Sequence, residues 1–120
     1  MAKKTNRAIG NKAEDQACEY LIEKGWEILD RNYYAGHAEV DIIAKDGEII
    51  VFLEVKMRSS SQFGTPVEYV NEAKVQRIYE AAEHWTFENK MHNHPLRFDV
   101  IGILTKKFGS EITHLQDAFR

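Results

Sequence analysis

The stretch AEVDIIAKDGEIIVFLEVKMR, residues 38–58, decides the fold. Five acidic residues stand among branched apolar ones, and Lys56 follows the last of them by two places. Asp46-Gly47 separates two apolar runs, which is a strong short-range signal for a β-hairpin. The reading is two antiparallel strands over about 37–45 and 48–57. With a two-residue loop at Asp46-Gly47, Lys45 faces Glu48, Ile43 faces Ile50 and Asp41 faces Phe52. Glu39 then faces Glu54, and His37 faces Lys56.

Side chains alternate across a strand, so these residues share one face of the sheet. The other face receives Ala38, Val40, Ile42, Ala44, Ile49, Val51, Leu53 and Val55, all apolar, and is expected to be core. The first face is apolar near the turn and charged at its far end, where Glu39, Asp41, Glu54 and Lys56 gather. Like charges placed opposite one another destabilise a sheet, and partial burial raises the cost. A divalent cation would compensate, and hard oxygen ligands at this density suit Mg²⁺ or Mn²⁺. A merely solvated face would be polar along its whole length, and this one is not.

Outward from the hairpin, the first helix is expected over about residues 6–25, with Ile9, Ala13, Ala17, Cys18 and Leu21 at helical spacing and Gly25 as its stop. WEILDRNYY, residues 26–34, reads as a strand. After the loop SSSQFG, Thr65-Pro66-Val67-Glu68 has the form of a capping box with proline at the first helical position, opening a helix to about Asn89. NKMHNHP reads as a loop, LRFDVIGIL as a strand and EITHLQDAF as a last strand. The order α-β-β-β-α-β-β gives an α/β fold with a mixed central sheet flanked by helices.

The 120 residues suit one domain, with residues 1–9 as a basic N-terminal arm. No apolar run is long enough to span a membrane, and no secretory h-region opens the chain. The lone cysteine, Cys18, builds no internal disulfide and reads as a filler of the helix stripe. A reducing cytoplasm is the expected location. The net charge of −3 argues against a protein that coats nucleic acid non-specifically. It does not exclude a nucleic-acid enzyme, which must gather carboxylates for metal.

Asp41, twelve intervening residues, then Glu54-Val55-Lys56 resembles the PD-(D/E)xK motif of the restriction-endonuclease-like nuclease superfamily. Valine precedes Asp41 where the motif's name has proline. Glu14 in the first helix matches the extra glutamate of archaeal Holliday-junction resolvases in that superfamily, and the element order matches its αβββαβ core. More closely, the chain resembles the YraN-like family of small bacterial proteins. The resemblance runs through GNKAEDQACEYLIEKGWEILDRNYY, the hairpin stretch, FGTPVEYVNEAKVQRIYEAAEHW and RFDVIGI.

The resemblance implies metal-dependent hydrolysis of phosphodiesters in nucleic acid, DNA before RNA, with Mg²⁺ or Mn²⁺ as cofactor and structure-specific cleavage as an expectation. Asp41 and Glu54 would ligate the metal, with the Val55 carbonyl and Glu14 as further ligands. Lys56 would hold the nucleophilic water or stabilise the transition state. By analogy with resolvases a homodimer is expected. The alternative reading is a catalytically inactive nucleic-acid-binding or interaction module on the same scaffold.

Glu14 has two readings: leaning over the sheet toward the metal, or capping a helix start at Asn11. Lys74 falls between Val70 and Ile78 in the apolar stripe Val67, Val70, Ile78, Ala81, Ala82 and Trp85. It either snorkels to solvent or reaches the acidic cluster or a phosphate. Lys74, Arg58, Arg77 and Lys12 are the candidate nucleic-acid contacts. His37 reads as a surface residue, placed beside the site only if the register holds. His92 and His94 read as a polar loop. Arg97 and Asp99 read as an internal ion pair near the site. Glu39 has no assigned role.

Overall fold

A computed structural model of the chain describes residues 4–58 and 71–119, with side chains from residue 12 onward. The elements are α1 (Lys4–Glu23), β1 (Glu27–Ala35), β2 (Ala38–Asp46), β3 (Ile49–Arg58), α2 (Glu72–Glu88), β4 (Leu96–Lys106) and β5 (Gly109–Leu115). This is the expected order. The five strands lie in sequence order in one sheet. β3 and β4, joined across α2, are parallel, and the other neighbours are antiparallel. A helix-bearing connection is what a parallel neighbour requires.

α1 ends where Gly25 turns to φ 91°. Gly25 N–H donates to the Ile22 carbonyl at 2.9 Å and Trp26 N–H to that of Leu21 at 3.0 Å. That is a Schellman motif, with Leu21 and Trp26 packed in the same cluster. The helix runs unbroken through Asn11, so of the two readings of Glu14 the one that makes it part of a cap at Asn11 is excluded.

Asn71 is extended and caps α2, its side chain accepting from the Lys74 N–H at 2.9 Å. One continuous helix from Thr65 is therefore excluded, because an N-cap residue sits outside the helix it begins. The Thr65–Glu68 capping box, Val67 and Val70 lie outside the described residues.

The hairpin register differs from the expected one. Asp46 pairs with Ile49, Lys45 with Ile50, Ile43 with Phe52 and Ile42 with Leu53. The loop is Gly47-Glu48 instead of Asp46-Gly47. Gly47 has φ 62° and Glu48 is not left-handed, the pattern of a turn that needs glycine first. Each β2 residue thus meets a β3 residue two places further on. A shift of two preserves the faces, but it dissolves the Glu39–Glu54 and Asp41–Phe52 pairings.

Both faces of the sheet are buried. Under α1, Ala13, Ala17, Leu21 and Trp26 pack on Ile42, Ala44, Val51, Leu53, Ile101 and Ile103. Under α2, Ile78, Ala81, Ala82 and Trp85 pack on Ile43, Ile50 and Phe52. The face that read as mixed is a second core near the turn, charged only at its far end. Full burial of each large side chain contributes about 1.5–3 kcal/mol. Ala38 and Val40, in phase with Ile42, join the α2 cluster instead. No described helix is long and apolar enough to cross a membrane.

Candidate functional site

The described pairing of β2 with β3 ends at Ile42–Leu53. Asp41 and Glu54 are the next residues on each strand. There the Val55 N–H donates to Asp41 Oδ2 at 2.8 Å, so a side-chain carboxylate satisfies a β3 amide. An aspartate lying toward β3 accounts for the break in alternation between Val40 and Ile42. On β1, Asn32 takes φ 52° between the pairs Arg31–Ile42 and Tyr33–Val40. The distortion therefore spans both strands at the level of Asp41.

Glu54 is buried, and its Oε2 lies 2.7 Å from Lys74 Nζ. The two readings of Lys74 are thereby decided: its head reaches the acidic cluster. Burial pushes the Asp41 carboxyl up to about 8, with the charge of Glu54 adding to the effect and the Val55 hydrogen bond opposing it. Burial also raises Glu54, while its hydrogen bond and charge attraction to Lys74 work against the rise. Lys56 is lowered, first by burial and then by the like charge of hydrogen-bonded Lys74. Lys74 is raised because contact with Glu54 outweighs its own desolvation. The charged form is thus favoured at Lys74 and disfavoured at Lys56 relative to a free lysine.

A cavity of about 230 Å³ opens onto this cluster, lined by His37, Glu39, Asp41, Glu54, Lys74, Arg77 and Ile78. His37 stands beside the site after all, from the β1–β2 turn and not from a pairing with Lys56. A wider groove of about 1020 Å³ continues between that turn and α2, sharing His37 and Arg77 with the cavity. Of the expected nucleic-acid contacts, Lys74 and Arg77 line the cavity. Lys12, exposed on α1, and Arg58, at the end of β3, do not.

Glu14 is buried on α1. Its Oε1 has no hydrogen-bond partner and lies 3.6 Å from Arg31 Nη2. Burial raises its carboxyl, Asn32 and Arg31 lower it, and Glu39 raises it again. Arg31 also pairs with Asp15 at 2.7 Å. Sequence reasoning missed Arg31 and Asn32. Their signal was the polar run Asp30-Arg31-Asn32 inside an otherwise apolar and aromatic strand.

Arg97 and Asp99 do form an ion pair, at 2.9 Å, but not beside the carboxylates. Asp99 pairs in register with Leu53, whose side chain packs under α1. The strand alternation that puts Glu54 on the α2 side puts Asp99 on the other.

Among the described residues no three His, Cys, Asp or Glu side chains converge as a metal cage. Two neighbouring carboxylates with raised pKa values do fit a hard divalent ion. Mg²⁺ usually takes one or two protein carboxylates and completes its shell with water and substrate phosphate.

The fold and site define a small α/β protein with a carboxylate–lysine centre where two strands part. The chain belongs to UPF0102, an uncharacterised protein family whose model matches residues 13–103; this is the YraN family the sequence resembles. Its relatives include UPF0102 proteins of Clostridium tetani, 44% identical over 96% of each chain, and Christiangramia forsetii, 43% identical over 92% of each. That of Rhodococcus opacus is 43% identical over 95% of this chain and 98% of its own.

Proposed function

We propose that this protein is a metal-dependent nuclease that hydrolyses phosphodiester bonds, with DNA as substrate and branched DNA as the first form to test. The observation that carries the reading is the convergence of Asp41, Glu54 and Lys74 at one cavity, with Lys56 in charge contact with all three and both carboxylates raised by burial.

Asp41 and Glu54 would hold Mg²⁺ or Mn²⁺ in this reading, with the Val55 carbonyl as a further oxygen. The metal, when bound, supplies a water of lowered pKa and positive charge at the phosphoryl oxygens. Lys56 would hold the attacking water and stabilise the charge that gathers on the phosphoryl oxygens, and that water gives its proton to solvent as its oxygen bonds phosphorus. The phosphorus–oxygen bond to the leaving sugar oxygen breaks, and that oxygen takes a proton from solvent. Arg77, which lines both the cavity and the wider groove, would meet a phosphate of the strand. Glu14 and Glu39 add negative charge that strengthens cation binding.

The test is incubation of purified protein with branched and linear DNA in Mg²⁺ or Mn²⁺. Cleavage that disappears in Asp41→Ala supports the reading. No cleavage of any substrate, or cleavage unchanged in Asp41→Ala, overturns it. Binding without cleavage points instead to a non-catalytic module.

A further inference from the structure

We propose that Lys74 is a built-in competing cation: it occupies Glu54 in the metal-free protein, and a divalent metal must displace its ammonium to bind. The inference rests on the metal-dependent reading above and adds how the metal's entry is controlled.

The two groups come from different layers, Glu54 from the sheet and Lys74 from α2. They meet at 2.7 Å, with the Glu54 side chain 3% exposed and that of Lys74 35% exposed. A buried carboxylate needs a counter-charge, and Lys74 supplies it. One turn along the helix, Ile78 begins the buried stripe continued by Ala81, Ala82 and Trp85. Lys74 therefore sits on the face of α2 turned to the sheet, where an apolar residue would otherwise stand.

Asp41 has no such partner: among the described residues no ammonium or guanidinium lies within ion-pair distance of it. Of the two lysines in charge contact with these carboxylates, Lys74 and Lys56, only Lys74 is in ion-pair contact, and only with Glu54. A divalent ion would match both carboxylates, but it cannot take Glu54 while Lys74 stays there, since two cations at one carboxylate repel. Lys74 has a flexible four-carbon stem and a partly exposed head, so it can swing into the cavity it lines. Released there, it meets the phosphate that arrives with the metal. Binding of metal and of phosphate are coupled through one side chain.

Calorimetric titration of Mn²⁺ into wild type, Lys74→Met and Lys74→Arg tests this without any cleavage assay. Lys74→Met should bind Mn²⁺ roughly ten- to a hundred-fold more tightly, because no charge-assisted hydrogen bond has to break. Lys74→Arg keeps the cation and grips Glu54 at two points, so it should bind Mn²⁺ more weakly than wild type. It also keeps the core charge paired, which guards against a Met variant that does not fold. Unchanged or weaker binding in folded Lys74→Met, unchanged or tighter binding in Lys74→Arg, or no Mn²⁺ binding in any of the three overturns the proposal. Metal binding that follows the expected order, with no DNA cleaved, supports it and overturns the nuclease reading alone.

Discussion

The Val55 amide donates to Asp41 Oδ2 at 2.8 Å. This one bond explains why two strands that pair regularly from the turn stop pairing at Ile42–Leu53. A carboxylate occupies the place of a strand carbonyl, and the carboxylates of Asp41 and Glu54 are left beside each other at one cavity. The charge cluster is a consequence of how the hairpin ends.

Asp41→Asn should therefore stabilise the metal-free protein, and more so at high pH. The Asp41 carboxyl is raised from 3.8 to about 8. Between those values the folded state keeps a proton that the unfolded state has lost. Wild-type stability then falls as pH rises through that window and levels off above it. Asparagine does not titrate, and its carbonyl can still accept from Val55. Thermal unfolding with chelator, at about pH 5 and about pH 9, should show the variant's advantage growing with pH. A constant difference would show that Asp41 does not carry the raised pKa.

The Lys74–Glu54 pair should show strong energetic coupling. Removing Lys74 alone leaves a buried carboxylate without its cation, which costs about 2–3 kcal/mol after allowance for the partial exposure of Lys74. Lys74→Met with Glu54→Gln removes both charges and should recover most of that loss. Urea unfolding of the double-mutant cycle at neutral pH measures the coupling. A value near zero would mean the pair is an exposed, water-screened contact.

Lys56→Met should separate chemistry from metal binding. Lys56 is not a ligand in the proposed mechanism, so Mn²⁺ affinity should hold or improve as a neighbouring positive charge is lost. The cleavage rate should fall by roughly 10²–10³, the usual worth of a group that stabilises transition-state charge. Equal rates in the variant and wild type would remove Lys56 from the mechanism.

How far the sequence could be read follows from which forces were local. Asp46-Gly47 announced the hairpin because turn chemistry needs only adjacent residues. The register slipped because a glycine can occupy either loop position, and Gly47 takes the first. Faces survived that slip since pairing moved by two. The second core was not legible: Ile43 and Ile50 alternate with charge, and only the docking of α2 shows that they are covered. Lys74 stood out as a lysine in an apolar stripe, yet its target lay in another layer. Arg31 was missed because its role depends on α1 crossing β1. Asp99 went to the wrong side of the sheet for the same kind of reason. No strand-to-strand phase across a helical connection can be counted from sequence.

Asp99→Asn should cost stability without touching the metal site. Asp99 is fully buried. It accepts from Arg97 Nε at 2.9 Å, Arg97 Nη2 at 3.0 Å, His114 Nε2 at 2.7 Å and the Asp117 amide at 2.9 Å. These donors tie β5 and the chain after it to β4, and Tyr20 reaches His114 Nδ1 at 3.0 Å from α1. Asparagine would turn an amide NH₂ toward groups that already donate and leave half-buried Arg97 with only the looser Asp46 contact at 3.5 Å, at about 2–4 kcal/mol. The donors hold the Asp99 carboxyl below its ordinary 3.8 against the opposing effect of burial. Its contribution is thus present above that value and lost as pH falls through the lower folded one. The difference in unfolding midpoint between wild type and Asp99→Asn should be full at neutral pH and shrink on acidification toward and below 3.8. Mn²⁺ affinity should be the same in both proteins, since Asp99 and Glu54 project from opposite faces of the sheet. A variant that folds normally but loses metal binding would show that the two clusters communicate through β3.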